Sequence, residues 1–229
     1  MKIIRPTKGP FTEQPYFSQA DIESLCLDEL ARVNLLPTSP APIRIDRFIE
    51  KRFGKPHAYA KLEAGVLGLT RFGAKGVQEI VISESLEEDT SKPAERRLRT
   101  TLAHEAGHGL LHAYLFVLGS TRPLFGDWSD SKRPRVLCRE PDHSGYGGEW
   151  WEFQANMVMG VILMPKPLVI AAVQEFLKPI GTLGLAELTT QSRQDAVRSL
   201  ADVFDVNPVA VGFRLASVFP DAIGGQLSL

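Results

Sequence analysis

The chain is poor in the residues on which small secreted proteins rely: it holds two cysteines, Cys26 and Cys138, far apart in 229 residues. That excludes a disulfide-dense scaffold, and free thiols in a reducing interior are expected. Nor is there an excess of either charge. Lysine plus arginine (26) almost cancels aspartate plus glutamate (27), so no overall basic field exists to gather nucleic acid or anionic lipid, and such a partner would need a local patch. No apolar run approaches the roughly 20 residues of a membrane span. The opening stretch meets Arg5 and Pro6 before any apolar run of signal-peptide length, so a soluble cytoplasmic protein without membrane contact is expected. Histidine is also scarce, at five, which makes the placing of each one informative.

What remains, 44% apolar residues, is ample for a core without staples, either as one domain or as a domain with a small appendage. Residues 1–17 carry Pro6, Pro10 and Pro15 with little periodicity and read as an extended arm that packs late or frays. From Ser18 to Leu36, Ile22, Cys26, Leu30 and Val33 recur at helical spacing. Pro42 to Ile45 is expected to be a short strand, followed by a helix over Asp46 to Phe53. Two strands, Gly65 to Phe72 and Gln78 to Ser83, flank a glycine-containing turn, as in a small antiparallel sheet. A long helix is predicted from Pro93 and Ala94 to about Leu118, and a second from Glu149 to Met164, stopped by Pro165. Residues 119–148 between them show no clear period and are too long for an idle connector, so they are expected to shape a cleft or form a lid. The remainder, 166–229, reads as mostly helical, with Gln191 to Phe204 and Pro208 to Ser217 resembling a helix-turn-helix capped at Asn207. The expected fold class is therefore α+β, with residues 18–165 as the catalytic domain and 166–229 as a helical subdomain.

The chemistry is carried by His104-Glu105-Ala106-Gly107-His108, an HExxH motif placed mid-helix on independent grounds. Residues four apart stand one above the other on a helix, so both imidazoles can converge on one zinc ion. Glu105, about 100° round, would reach a water polarised by the metal and act as general base and acid. Catalytic zinc usually has three protein ligands, and the third is sought on the second helix. There Glu149, Glu152 and Asn156 share a face at spacings of three and four in an otherwise apolar segment. A buried carboxylate in such a place needs a cation. Spacing alone leaves Glu149 and Glu152 both open.

Two segments carry a resemblance to a known family. Thr100-Thr101-Leu102-Ala103-His104-Glu105-Ala106-Gly107-His108, followed by Leu110-Leu111-His112, and then Glu152-Phe153-Gln154-Ala155-Asn156 running to Leu163-Met164-Pro165, resemble the two signature helices of the ImmA/IrrE zinc metallopeptidases, and a weaker match extends from about Leu25 to Ser217. The chain departs from the usual pattern at Met157, Val158, Met159 and Gly160. The resemblance implies a zincin-like fold, one Zn2+ per chain and Glu152 rather than Glu149 as third ligand. It also implies a protein substrate, often a helix-turn-helix repressor, encoded separately because the amino end leaves no room for a DNA-binding domain. The rival expectation keeps the metal but makes the chain a regulatory or toxin-antitoxin binding module with little proteolytic activity. Intact Glu105 weighs against it.

Other residues have smaller expected roles. His112, one turn beyond His108, is expected to assist the metal or to bond to its own helix or the loop. Asn156 could orient a histidine or the ligand glutamate, Cys138 and His143 could approach the metal, and Tyr146, Arg139 and His143 are candidates for steadying an oxyanion. Trp150 and Trp151 should straddle core and cleft wall. The tail helix offers Arg214 as its one cation among Val209, Val211, Phe213 and Leu215, a composition for burial or protein docking and not for reading DNA.

Overall fold

The computed structural model describes residues 2–4, 14–115, 135–139, 149–180 and 185–220. Helix α1 (Gln19–Arg32) starts at Ser18, whose hydroxyl accepts from the Asp21 amide while the Asp21 carboxylate accepts from the Ser18 amide, a reciprocal cap that fixes its first turn. It buries Ile22, Cys26 and Leu30, the stripe expected from spacing. No strand forms over Pro42 to Ile45. Ile43 is buried there as extended chain, and helix α2 (Ile45–Phe53) follows at once.

The main sheet has the order β3-β5-β4-β6. Its centre is the expected hairpin, β4 (Val66–Gly73) against antiparallel β5 (Gly76–Ser83). Two strands correct the expected antiparallel sheet. Strand β3 (Ala58–Ala60) pairs with β5 in parallel, making the sheet mixed. Strand β6 (Arg135–Arg139) lies inside the segment read as a long loop and pairs antiparallel with β4. Five residues with charge at both ends carry too little alternation to announce an edge strand.

Beyond the short helix α3 (Glu84–Glu88), Ser91 caps helix α4 (Lys92–Leu111) through the Ala94 amide, with Pro93 in the first turn where its missing N–H costs nothing. A separate turn over residues 113–115 follows. Helix α4 is the axis of the molecule: the sheet covers one side, and α5 (Trp150–Leu163) packs along the other. Gly107 permits that close packing. A Cβ added there would lie 3.0 Å from the Ala155 carbonyl oxygen and 3.1 Å from Val158 Cβ.

The C-terminal part holds α6 (Lys166–Val173), α7 (Thr190–Val203) and α8 (Pro208–Val218), with Asn207 capping α8 as expected. It also contains a small pair of strands, β7 (Lys178–Ile180) and β8 (Leu185–Glu187), where a mostly helical stretch was predicted. Apolar side chains on both sides of Pro165, such as Leu102, Val158, Val169 and Leu200, belong to one continuous core. In the amino-terminal arm, β1 (Lys2–Ile4) pairs antiparallel with β2 (Gln14–Tyr16), and Pro15 is buried. No single helix among the described residues is long and apolar enough to cross a membrane.

Candidate metal centre

The two faces of α4 that matter lie about 100° apart, and the layers on either side use them differently. His104 and His108 turn to α5, where Glu152 stands opposite. Their Nε2 atoms are 2.9 Å apart, and Glu152 approaches with Oε2 3.0 Å from His104 Nε2 and Oε1 3.3 Å from His108 Nε2. The three side chains form a cluster whose ligand atoms all lie within 4.8 Å of one another and which could hold a metal ion. Glu149 is the exposed N-cap residue of α5 and stands outside this cluster.

The ring tautomers suit a cation. Asn156 Oδ1 can only accept, so His104 Nδ1–H donates to it at 3.0 Å, and the His104 lone pair lies on Nε2. Behind His108, its Nδ1 is 3.0 Å from His112 Nδ1, and His112 Nε2 is 3.1 Å from Gln154 Oε1. With Nδ1–H of His108 donating, its Nε2 lone pair also faces Glu152. Two nitrogen lone pairs and a carboxylate aimed at one buried point repel each other unless a cation lies between them, so the residues fit a metal.

A proton can serve as that cation, with Nε2–H of a doubly protonated His104 donating to Glu152. Burial disfavours charge on His104, but its hydrogen bond to Glu152 and the charges of Glu105 and Glu152 outweigh that and raise its pKa. Burial holds His108 down at about 4 against the pull of Glu152, with His104 adding to the lowering. Burial, helped by the His108 ring, pushes His112 down to about 3. Glu152 is driven up by burial but held at about 2 by its hydrogen bonds to the two histidines. The site is thus an ionised carboxylate facing two rings built to be neutral or to share one cation. It opens to solvent at Glu152, whose side chain is 21% exposed, against 5% for His104 and 0% for His108.

Glu105 lies on the adjoining face, toward the sheet. The Thr70 hydroxyl on β4 lies 2.5 Å from its Oε2 and 3.1 Å from its backbone oxygen. Strand β4 comes this close because Gly68, at an irregularity in the β4–β6 register, has no side chain. A Cβ on it would meet Thr101 Cγ2 at 2.9 Å and Glu105 Oε1 at 3.0 Å. Trp150 packs edge-on against His112 at 5.6 Å and against Trp151 at 5.5 Å, and Trp151 joins Phe72 in a small apolar cluster. The two tryptophans therefore wall the back of the site.

Among residues singled out in the sequence, His104, His108, Glu152, Asn156 and His112 come together here. Tyr146 and His143 lie outside the described residues, and Cys138 and Arg139 are placed in β6 by their backbone only. Spacing did not single out Thr70 or Gln154. Gln154 carried a faint signal, a buried amide in an apolar helix, but Thr70 carried none, since its relation to Glu105 arises across the sheet-helix interface.

These features define an α+β protein with a His2Glu cluster on two packed helices. Set against models of known protein families the chain matches none, and no curated protein matches it.

Proposed function

We propose that the chain is a zinc-dependent endopeptidase of zincin-like architecture that cleaves a specific partner protein, with a separately encoded helix-turn-helix repressor or antitoxin as the substrate class and the cytoplasm as its place of action. The observation that carries this reading is the convergence of His104, His108 and Glu152 on one side of α4 with a carboxylate, Glu105, fixed on the adjoining face.

His104, His108 and Glu152 would hold the metal, and bound zinc supplies Lewis acidity, lowering the pKa of water and polarising a carbonyl. The protein's own part is to place and move a proton. Thr70 steadies the Glu105 carboxylate by donating to Oε2, so that it is oriented before it accepts a proton from the attacking water and passes it to the departing amide nitrogen. Asn156 keeps His104 from rotating by accepting from Nδ1. A peptide can reach the cluster from the Glu152 side, where the site is open.

The zinc and the peptide chemistry rest on the sequence resemblance together with this donor set, and the repressor substrate rests on the resemblance alone. A binding module with a silent metal is favoured by one observation, the complete burial of Glu105. Co-expression with the products of neighbouring genes separates the two. Fragmentation of a partner by the wild type, falling by about 100-fold or more in Glu105→Gln while zinc content is unchanged, is the expected outcome. A partner that binds but stays whole with both forms would leave the binding module.

A further inference from the structure

Behind the metal cluster, a line of polar atoms runs through the apolar interior to the amino-terminal strand. Gln154 Nε2 lies 2.7 Å from the Pro15 carbonyl oxygen. A carbonyl can only accept, so the amide nitrogen of Gln154 faces β2 and its Oε1 faces His112. His112 Nε2, at 3.1 Å, must therefore donate to that oxygen. With its proton on Nε2, the neutral ring presents a lone pair on Nδ1, 3.0 Å from His108 Nδ1. His108 must then donate, which places its own lone pair on Nε2, the atom aimed at Glu152 and His104. Every link has only one workable direction, and the direction is set at the far end, by a proline carbonyl on a strand remote in sequence. His112, Gln154 and Pro15 are all buried, so water does not offer these groups substitute partners.

We propose that Pro15, Gln154 and His112 form a one-way hydrogen-bond relay that fixes His108 in its metal-binding tautomer, making β2 and the amino-terminal arm a positioning element of the metal centre. It rests on the metal-site reading above and adds to it a regulatory consequence. Undocking of β2 frees the Gln154 amide to flip, which releases the His112 tautomer and weakens the His108 ligand without any change in the ligands themselves. His112 is here a positioning residue that acts through His108, not a fourth ligand.

The test uses the full-length protein loaded with zinc and labelled with 15N at histidine. Two-bond proton-nitrogen spectra should show His112 protonated at Nε2, and competition with a chromophoric chelator should show Gln154→Leu binding zinc about 10- to 100-fold more weakly than wild type, the range known for residues that orient metal ligands. In Gln154→Glu the carboxylate still accepts from His112 but cannot donate to Pro15, so the His112 tautomer should persist while amides of β2 lose protection from hydrogen exchange. His112 protonated at Nδ1 in the wild type overturns the relay, even where Gln154→Leu fails to fold. So does a folded Gln154→Leu with undiminished zinc affinity. The two readings fail differently: a wild type that takes up stoichiometric zinc, lost in His104→Ala, keeps the metal centre even when the relay falls. Absence of zinc uptake by the wild type removes both.

Discussion

Helix α4 carries two polar clusters, one at each end, built on opposite physical principles. In its first two turns Lys92, Arg96 and Arg99 surround Asp205, which sits just after α7. Lys92 Nζ is 2.7 Å and Arg96 Nε 3.3 Å from Asp205 Oδ1, while Arg99 Nε donates to the Asp205 backbone oxygen at 2.9 Å. Lys92 is 57% exposed and Asp202, the other partner of Arg96, 80%, so water can replace those two contacts, while Arg96, Arg99 and Asp205 are part-buried. Three turns further on, His104, Glu105, His108 and His112 are all buried, and each has a partner with a defined donor and acceptor role. An exposed ion pair contributes about 0–1 kcal/mol and tolerates error. A buried polar group left without its partner costs roughly 1–3 kcal/mol, so the second cluster admits one arrangement only. The amino end of α4 therefore fastens the C-terminal helices to the core, whereas the carboxyl half holds the His104-His108-Glu152 cluster in a single configuration.

The sharpest way to break this contrast is to remove a member of the buried cluster. His108→Ala takes away one donor of the metal set and leaves Glu152 and His112 without a ring between them. Zinc affinity in chelator competition should fall by more than about 100-fold, beyond what loss of an orienting residue causes. Retained affinity would mean that the cluster does not bind metal. A smaller effect is expected from Gly107→Val, which drives a branched side chain into the Ala155 backbone and Val158. Overpacking of this kind should cost roughly 2 kcal/mol in urea unfolding. A near-neutral result would show that α4 and α5 can separate, and with them the histidines and Glu152. At the more exposed end, where Asp205 is part-buried, Asp205→Asn should cost about 1 kcal/mol. Asp205 has φ 53°, a left-handed conformation that asparagine also accepts, so the change isolates the charge.

The same residue predicts a pH effect. Burial pushes the Asp205 carboxyl up, but its hydrogen bonds to Lys92 and Arg96 and the charge of Arg99 leave it below the usual carboxylate range. Its contribution is therefore fully present above about pH 4 and is lost as pH falls through the lowered value. Wild type should lose its small advantage over Asp205→Asn in acid, as thermal unfolding across that range would reveal. An advantage that persists there would mean that shape and not charge holds the turn.

The two clusters were also unequally legible. The HExxH spacing and the Glu152–Asn156 stripe were plain in the sequence because both are set by the helical repeat. The same repeat gave the buried face of α1, and an asparagine placed before Pro208 gave the cap of α8. At the exposed end, nothing in the sequence paired Lys92 with Asp205. The composition of the tail helix, with Arg214 as its one cation, is unsuited to DNA. In the structure Arg214 is buried, donating to the Met164 carbonyl oxygen and forming a bidentate pair with Glu23.

Sequence by itself determined the helical elements of the site, its two histidines and the position of Glu105, and it narrowed the facing carboxylate to Glu149 or Glu152 by spacing, with the resemblance implying Glu152. Those features are local, fixed by a period of 3.6 residues and by caps and prolines that act within one turn. Only the tertiary structure decided which glutamate faces the histidines, that Thr70 holds Glu105, that β3 and β6 extend the hairpin, and that Pro15 and Gln154 stand behind His112. Each of these joins residues far apart in the chain, through the packing of α4 between a sheet and α5. Spacing along one strand or helix cannot encode which side chain a distant segment will bring to meet it.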